Sequence, residues 1–327
     1  MPSIYITNWI NDIQNKIDFW FNNFPINPGL FNITNLPLPP IVNPNILNHN
    51  LTSCCPTPPQ SQISFSHFPE PYYGNPKDDV LKLAVVLFFN PGAAGVNQLL
   101  GNIGLNTFHS NYLTCGSNYY NLSTRLMFLN VTINKFWKPK SMQIQNLLNC
   151  IIPDSINYEP LFMDLIPWHS TNFNGLVNNR FILPSTLAEA KQMIFLPAIF
   201  NAANSKVSEY VNTLNESKNK IVLFCVGSLY SRQNYLRQIG FKDITNTIPG
   251  IFPHTIIQNN VIHAFTNSKI LKVWKISGGD LLENEEIKET NEIKEKEIII
   301  INLWTKNVGM NIPKNICQTI KHILHNI

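Results

Sequence analysis

The stretch Leu83-Ala84-Val85-Val86-Leu87-Phe88-Phe89-Asn90-Pro91-Gly92 begins as an unbroken apolar run and stops on a polar turn. A short apolar run bounded by Asn-Pro-Gly reads as a strand buried on both faces. The residue before a proline is pushed out of the α region, so Asn90 is held extended, and Gly92 frees the backbone to turn. In open α/β sheets, ligands bind beyond the carboxyl ends of the strands, which puts Asn90 at the mouth of a site. A plain strand followed by an Asx-Pro turn uses the same residues, and this stretch alone does not separate the two.

Three further apolar runs follow the same plan. Leu161-Phe162-Met163-Asp164-Leu165-Ile166 ends in Pro167-Trp168-His169-Ser170. Ile221-Val222-Leu223-Phe224-Cys225-Val226 ends in Gly227-Ser228, and Val261-Ile262-His263-Ala264-Phe265 ends in Thr266-Asn267-Ser268. Helical spacing is read over 141–150, 186–200 and 205–214, between the strands. Strands alternating with helices predict an α/β protein with three layers, α/β/α, and a central, mostly parallel four-stranded sheet.

The flanks read differently. Residues 1–24 carry Trp9, Ile10, Ile13, Ile17, Trp20 and Phe21 at near-helical spacing, which predicts an amphipathic helix packed on the body. Nine prolines between Pro25 and Pro59 then make an extended connector. Four segments result: an N-terminal helix and proline-rich extension (1–62), the α/β domain (63–275), an acidic low-complexity insert (276–298), and a C-terminal strand and helix (299–327). The insert is expected to be a solvated helix or loop. The last segment is expected to pack on the domain, with Pro313 in the first turn of its helix.

At 327 residues the chain is long enough for one large core. Its net charge is +4, but Asp280–Glu297 holds eight acidic residues and three lysines, a net of −5, which leaves +9 on the rest. A basic body with an acidic insert suits an anionic ligand. No apolar run reaches the ~18–20 residues of a membrane span, and no secretory signal is visible at the N-terminus. None of the six cysteines forms a C-x-x-C pair, so free thiols in a reducing, intracellular compartment are expected, with no metal site.

The ordered set of strand ends (Asn-Pro-Gly, Pro-Trp-His-Ser, Gly-Ser, Thr-Asn-Ser) resembles the uracil-DNA glycosylase superfamily over roughly residues 63–275. Members carry a Gly-x-Asn-Pro-Gly or Gly-Gln-Asp-Pro type motif after the first strand and a His-Pro-Ser or Asn-Pro-Ser motif after the fourth. The upstream Pro71-Tyr72-Tyr73-Gly74-Asn75-Pro76 and the Pro-Trp-His-Ser also resemble a bacterial group of uracil-DNA glycosylase-like proteins. This chain departs from the pattern at Phe88, where relatives have glycine. It also lacks the proline of the last motif, and Asn267 stands there without a histidine. Asn90 in place of Asp resembles the slower branch of the superfamily.

The resemblance implies hydrolysis of the N-glycosidic bond of uracil or a related damaged base, flipped out of DNA. Asn90 would hold the attacking water through its carbonyl oxygen, since an amide does not act as a base. His169 or Asn267 would stabilise or read the leaving base. Backbone N–H groups after Pro91, with Gly92, would meet the base oxygen, and Phe89, Phe108 or Tyr119 would stack on it. Ser170 and Ser268 would complete the pocket, and Lys269 and Lys272 would touch phosphates. No cofactor is implied; the partner is DNA. The competing expectation is a protein that keeps the glycosylase fold but binds nucleic acid or a protein partner without chemistry.

Overall fold

The structure is a computed structural model. It describes residues 4–12, 63–64, 72–77, 81–88, 137–152, 158–165, 169–170, 177–178, 181–182, 187–188, 190–215, 219–226, 235–249, 271–283, 291–303 and 316–327. In chain order the strands are β1 (Ile63–Ser64), β2 (Tyr72–Tyr73), β3 (Val85–Phe88), β4 (Leu161–Asp164), β5 (His169–Ser170), β6 (Val177–Asn178), β7 (Phe181–Ile182), β8 (Lys220–Val226), β9 (Lys242–Asp243), β10 (Leu271–Ser277) and β11 (Glu297–Leu303). The helices used below are α1 (4–12), α2 (Trp137–Ile151), α3 (Leu196–Ala203), α4 (Lys206–Leu214), α5 (Gly278–Leu281), α6 (Asn291–Lys294) and α7 (Ile316–Asn326).

The main sheet has seven strands in the order β2-β4-β3-β8-β11-β10-β9. β4, β3, β8 and β11 run parallel, while β2, β10 and β9 add antiparallel margins. The expected α/β class is observed, but the expected four-stranded sheet is corrected to a mixed, seven-stranded one. The fourth parallel strand is β11, from the segment read as an appendage; Val261–Phe265 lies outside the described residues. Physically, Ile298-Ile299-Ile300-Ile301 can be covered on both faces, and each of these residues is fully buried or nearly so. β11 pairs with β8 over seven residues from Glu297↔Lys220 to Leu303↔Val226.

Alternation along each strand divides the core in two. One face carries Val85, Leu87, Leu161, Met163, Leu223, Trp274 and Ile300, covered by Ile6 and Trp9 of α1 and by Phe195, Leu196 and Ile199. The other carries Val86, Phe162, Val222, Phe224, Val273 and Ile299, covered by Leu148 of α2, Val207 of α4 and Ile320 of α7. Helices on both faces are compatible with three layers.

One local feature explains how α1 docks. The helix before α3 widens into a π turn at Lys191–Phe195, and Pro197 follows in the first turn of α3. Proline has no N–H to give to the carbonyl four residues back, that of Met193. Trp9 donates its indole N–H to that carbonyl oxygen at 2.6 Å, and Tyr5 stacks on Phe200 with centroids 4.1 Å apart. The amphipathic N-terminal helix is thus seen packed on the body over residues 4–12; the rest of 1–62 lies outside the described residues.

The acidic segment, expected to be a solvated helix or loop, is tied down where it is described. α5 and α6 bring β10 round to β11, and Ile293 of α6 is buried. Gly278 lies so close to α6 that a Cβ built on it would overlap the Ile293 carbonyl oxygen and sit 2.7 Å from its carbon.

Candidate functional site

The parallel strands end along one edge of the sheet. The ladder fixes the row: Phe88 is level with Asp164, Leu87 with Cys225, Cys225 with Asn302, and Val226 with Leu303. β3 crosses over to β4 on one side, whereas β8 crosses over to β11 on the other. The order therefore reverses between β3 and β8, and at such a reversal the carboxyl edge of an open α/β sheet is the usual ligand position. In sequence, Phe89-Asn90-Pro91-Gly92 follows β3 and Gly227-Ser228 follows β8; both stretches lie outside the described residues.

Asn90, Pro91, Gly92, Phe89 and Phe108 lie outside the described residues; the fixed point is Phe88, two positions before Asn90. Phe88 is buried and packs on Phe162 with centroids 5.7 Å apart. The phenylalanine side chain at this position thus belongs to the core. His169 and Ser170 form β5, which pairs with Ser64 and Ile63 of β1, so this backbone is held five residues beyond the end of β4. The Tyr72-Tyr73 strand borders β4, and Tyr72 is a core residue tilted against Trp9 at 5.7 Å. Gly74 turns the chain there with φ of 102°, a conformation that favours glycine. That loop caps the sheet margin.

Asn267, Ser268 and Lys269 also lie outside the described residues. The strand after them is antiparallel, and its first residue, Leu271, is level with Leu303 at the carboxyl edge. The chain thus enters β10 from this edge. After the fourth parallel strand the sequence continues as Trp304-Thr305-Lys306. Lys272, read as a phosphate contact, sits within β10, forms an ion pair with Asp243 and lies 5.8 Å from the Trp274 ring centroid. Burial pushes the Asp243 carboxyl up, but hydrogen bonds from Lys272 and from the Thr245 hydroxyl and N–H outweigh it and hold the group below its ordinary range.

Sequence reasoning missed the buried polar groups near this edge. Asp164, the last residue of β4, is fully buried beside Phe88. Asn302, one residue before the end of β11, is fully buried, and among the described residues neither of its carboxamide atoms has a hydrogen-bond partner. On the same face, the Tyr235 hydroxyl and the Trp274 indole N–H are also buried without a partner among the described residues. Burial, and then the nearby Cys225 thiol, push the Tyr235 hydroxyl well above its usual range, so it stays a neutral donor. The signal was available for Asn302: it is the one polar residue within a six-residue apolar run, Ile298 to Leu303.

Among the described residues, no group of three or more His, Cys, Asp or Glu side chains is placed to hold a metal ion. No helix among them is long and apolar enough to cross a membrane. Comparison of the chain with protein-family models, with curated proteins and with solved structures found no match.

Proposed function

We propose that the chain is a DNA N-glycosylase-like protein that hydrolyses the bond between deoxyribose and uracil or a related damaged base. One observation carries the reading. The strands that precede Asn-Pro-Gly, Pro-Trp-His-Ser and Gly-Ser are neighbours, parallel, and end along one edge, with the reversal of strand order between β3 and β8. Residues distant in sequence are thereby led toward one crevice, the usual ligand position of such sheets. Asn90 would orient the water through its carbonyl oxygen, and His169 would stabilise the anionic base as it leaves. Asp164, buried at the adjacent strand end, joins these two as a candidate. Phosphate contacts would come from the basic body, with Lys269 a better candidate than the ion-paired Lys272.

The test is incubation with uracil-containing single- and double-stranded oligonucleotides, followed by alkali. Strand breaks at uracil are expected. Asn90→Ala is expected to lose about 100-fold or more in rate, as for a lost positioning contact of a few kcal/mol, with DNA affinity largely kept because it comes from phosphates. Binding without abasic product would replace the enzyme reading with that of a non-catalytic nucleic-acid-binding protein. Excision untouched by Asn90→Ala would refute the assigned site.

A further inference from the structure

Cys150 lies in the last turn of α2 and Cys317 in the first turn of α7, two helices that pack together over the same face of the sheet. The Cys317 thiol points at the Leu147 carbonyl oxygen, 3.9 Å away. Leu147 stands one turn before Cys150, so both occupy the same side of α2. The Cys317 sulfur therefore lies against the turn of α2 that carries Cys150. Both are free; Cys150 is exposed and Cys317 is half-buried. The disposition is asymmetric: one sulfur is open to solvent and the other is set behind it.

We propose that Cys150 and Cys317 form a reversible dithiol/disulfide pair that clips α2 to α7, with Cys150 as the attacking thiol and Cys317 as the resolving one. The oxidant is a small disulfide of the glutathione class. The Cys150 thiolate, having released its proton to solvent, attacks one sulfur of the oxidant; the oxidant's S–S bond breaks and one small thiolate leaves. Cys317 then releases its proton and attacks the Cys150 sulfur of the mixed disulfide, and the second small thiolate leaves. Two protein thiols are oxidised to one disulfide, one small disulfide is reduced to two thiols, and the two protons are recovered by the leaving groups. The sulfurs need to close to about 2.05 Å, by rotation of the two side chains across the contact between α2 and α7.

The order of the steps follows from the environment of Cys317. Burial, then the hydrogen bond and charge of Cys150, push its thiol up to about 11, against a smaller opposing pull from Lys321. In the mixed disulfide the capped Cys150 no longer contributes, but burial still holds the Cys317 thiol above its ordinary value; little thiolate is present at neutral pH, so the mixed disulfide at Cys150 accumulates before it resolves. For a group in this range, raising the pH from about 7 to about 9 multiplies the thiolate fraction roughly 100-fold, and the resolving step with it. The disulfide closes a loop of 167 residues, 317 − 150.

The experiment treats the full chain with oxidised glutathione at both pH values, quenches with acid, alkylates, and maps peptides without reduction. A cross-linked Cys150–Cys317 peptide is expected, formed far faster at the higher pH and lost on adding dithiothreitol. Cys317→Ser is expected to stop at a Cys150–glutathione adduct, and Cys150→Ser to give no early adduct at residue 317. The oxidised chain is expected to unfold at higher urea than the reduced one. An unreactive Cys150, a Cys150 adduct that persists in the unsubstituted chain at the higher pH, or pairing of Cys150 with another cysteine would each overturn the proposal.

Discussion

Asn302→Val is expected to stabilise the protein. Asn302 is fully buried between Cys225 on β8 and Lys272 on β10, and among the described residues neither Oδ1 nor Nδ2 meets a hydrogen-bond partner. Burying an amide without a partner costs about 1–3 kcal/mol in protein mutational series. Valine removes that cost and suits a strand, but it is slightly larger, and the extra volume takes back up to ~1 kcal/mol in a packed core. Across these ranges the net gain runs from about 0 to 3 kcal/mol, and its middle, about 1–2 kcal/mol, is the value expected. With an unfolding entropy near 2.1 cal/mol/K per residue, a chain of 327 residues would show that gain as a rise in Tm of roughly 1.5–3 °C. Urea unfolding is the better assay: the midpoint should rise while the slope stays constant. A midpoint equal to or below that of the unsubstituted chain would refute the reasoning, because it would mean that the carboxamide is satisfied. A variant that is more stable but excises more slowly would mark Asn302 as polar for function and not for folding.

Two other outcomes can be checked on the same instrument. Gly278→Ala should cost several kcal/mol, on the order of 3, because the new methyl meets the backbone of α6 and not a side chain that can swing away; an unchanged urea midpoint would show that the α5–α6 packing is wrong. Asp243 has a lowered carboxyl pKa in the folded chain against an ordinary value of 3.8, so its stabilising contribution is present above that value and is lost as pH falls through the folded one. The gap in urea midpoint between the unsubstituted chain and Asp243→Asn should therefore be constant above about pH 5 and shrink as the solution is acidified further; a gap that widens on acidification would contradict the assigned partners.

Periodicity was enough for the elements that obey one rule at a time. The runs at 83–89, 161–166 and 221–226 appear as β3, β4 and β8 because strands covered on both faces leave an unbroken apolar signature. The helix read at 205–214 begins one residue later, after Ser205, whose side chain accepts the Ser208 N–H at 3.2 Å as an N-cap. β10 was hidden because Leu271-Lys272-Val273-Trp274-Lys275-Ile276 alternates imperfectly. Its lysines are only half-exposed, and each is neutralised by an acidic partner, Asp243 or Glu297, that no local pattern announces. The place of β11 was hidden for a related reason: the acidic stretch before it reads as a solvated helix or loop, yet β10 and β11 on either side of it pair antiparallel over seven residues. Near the candidate site, the described ends of β3, β4 and β8 were legible as places where an apolar run stops. Asp164 and Asn302 were not, since a polar residue in an apolar run gains its meaning only when the register shows that it stands at the edge.

The position of β11 has a consequence for how the chain comes off the ribosome. Ile221 on β8 waits for Ile298, 77 residues later, and the last 31 residues supply both this interior strand and α7. Until they emerge, one side of β8 presents unpaired backbone groups and apolar side chains on both faces, with neither β11 nor the β10 that hangs from it in place. Open edges of this kind recruit other strands, their own or a neighbour's. Synthesis of this protein therefore exposes a sticky half-sheet until residues 297–303 have emerged. A message truncated anywhere before codon 297 should yield insoluble or chaperone-bound product, not a smaller folded domain.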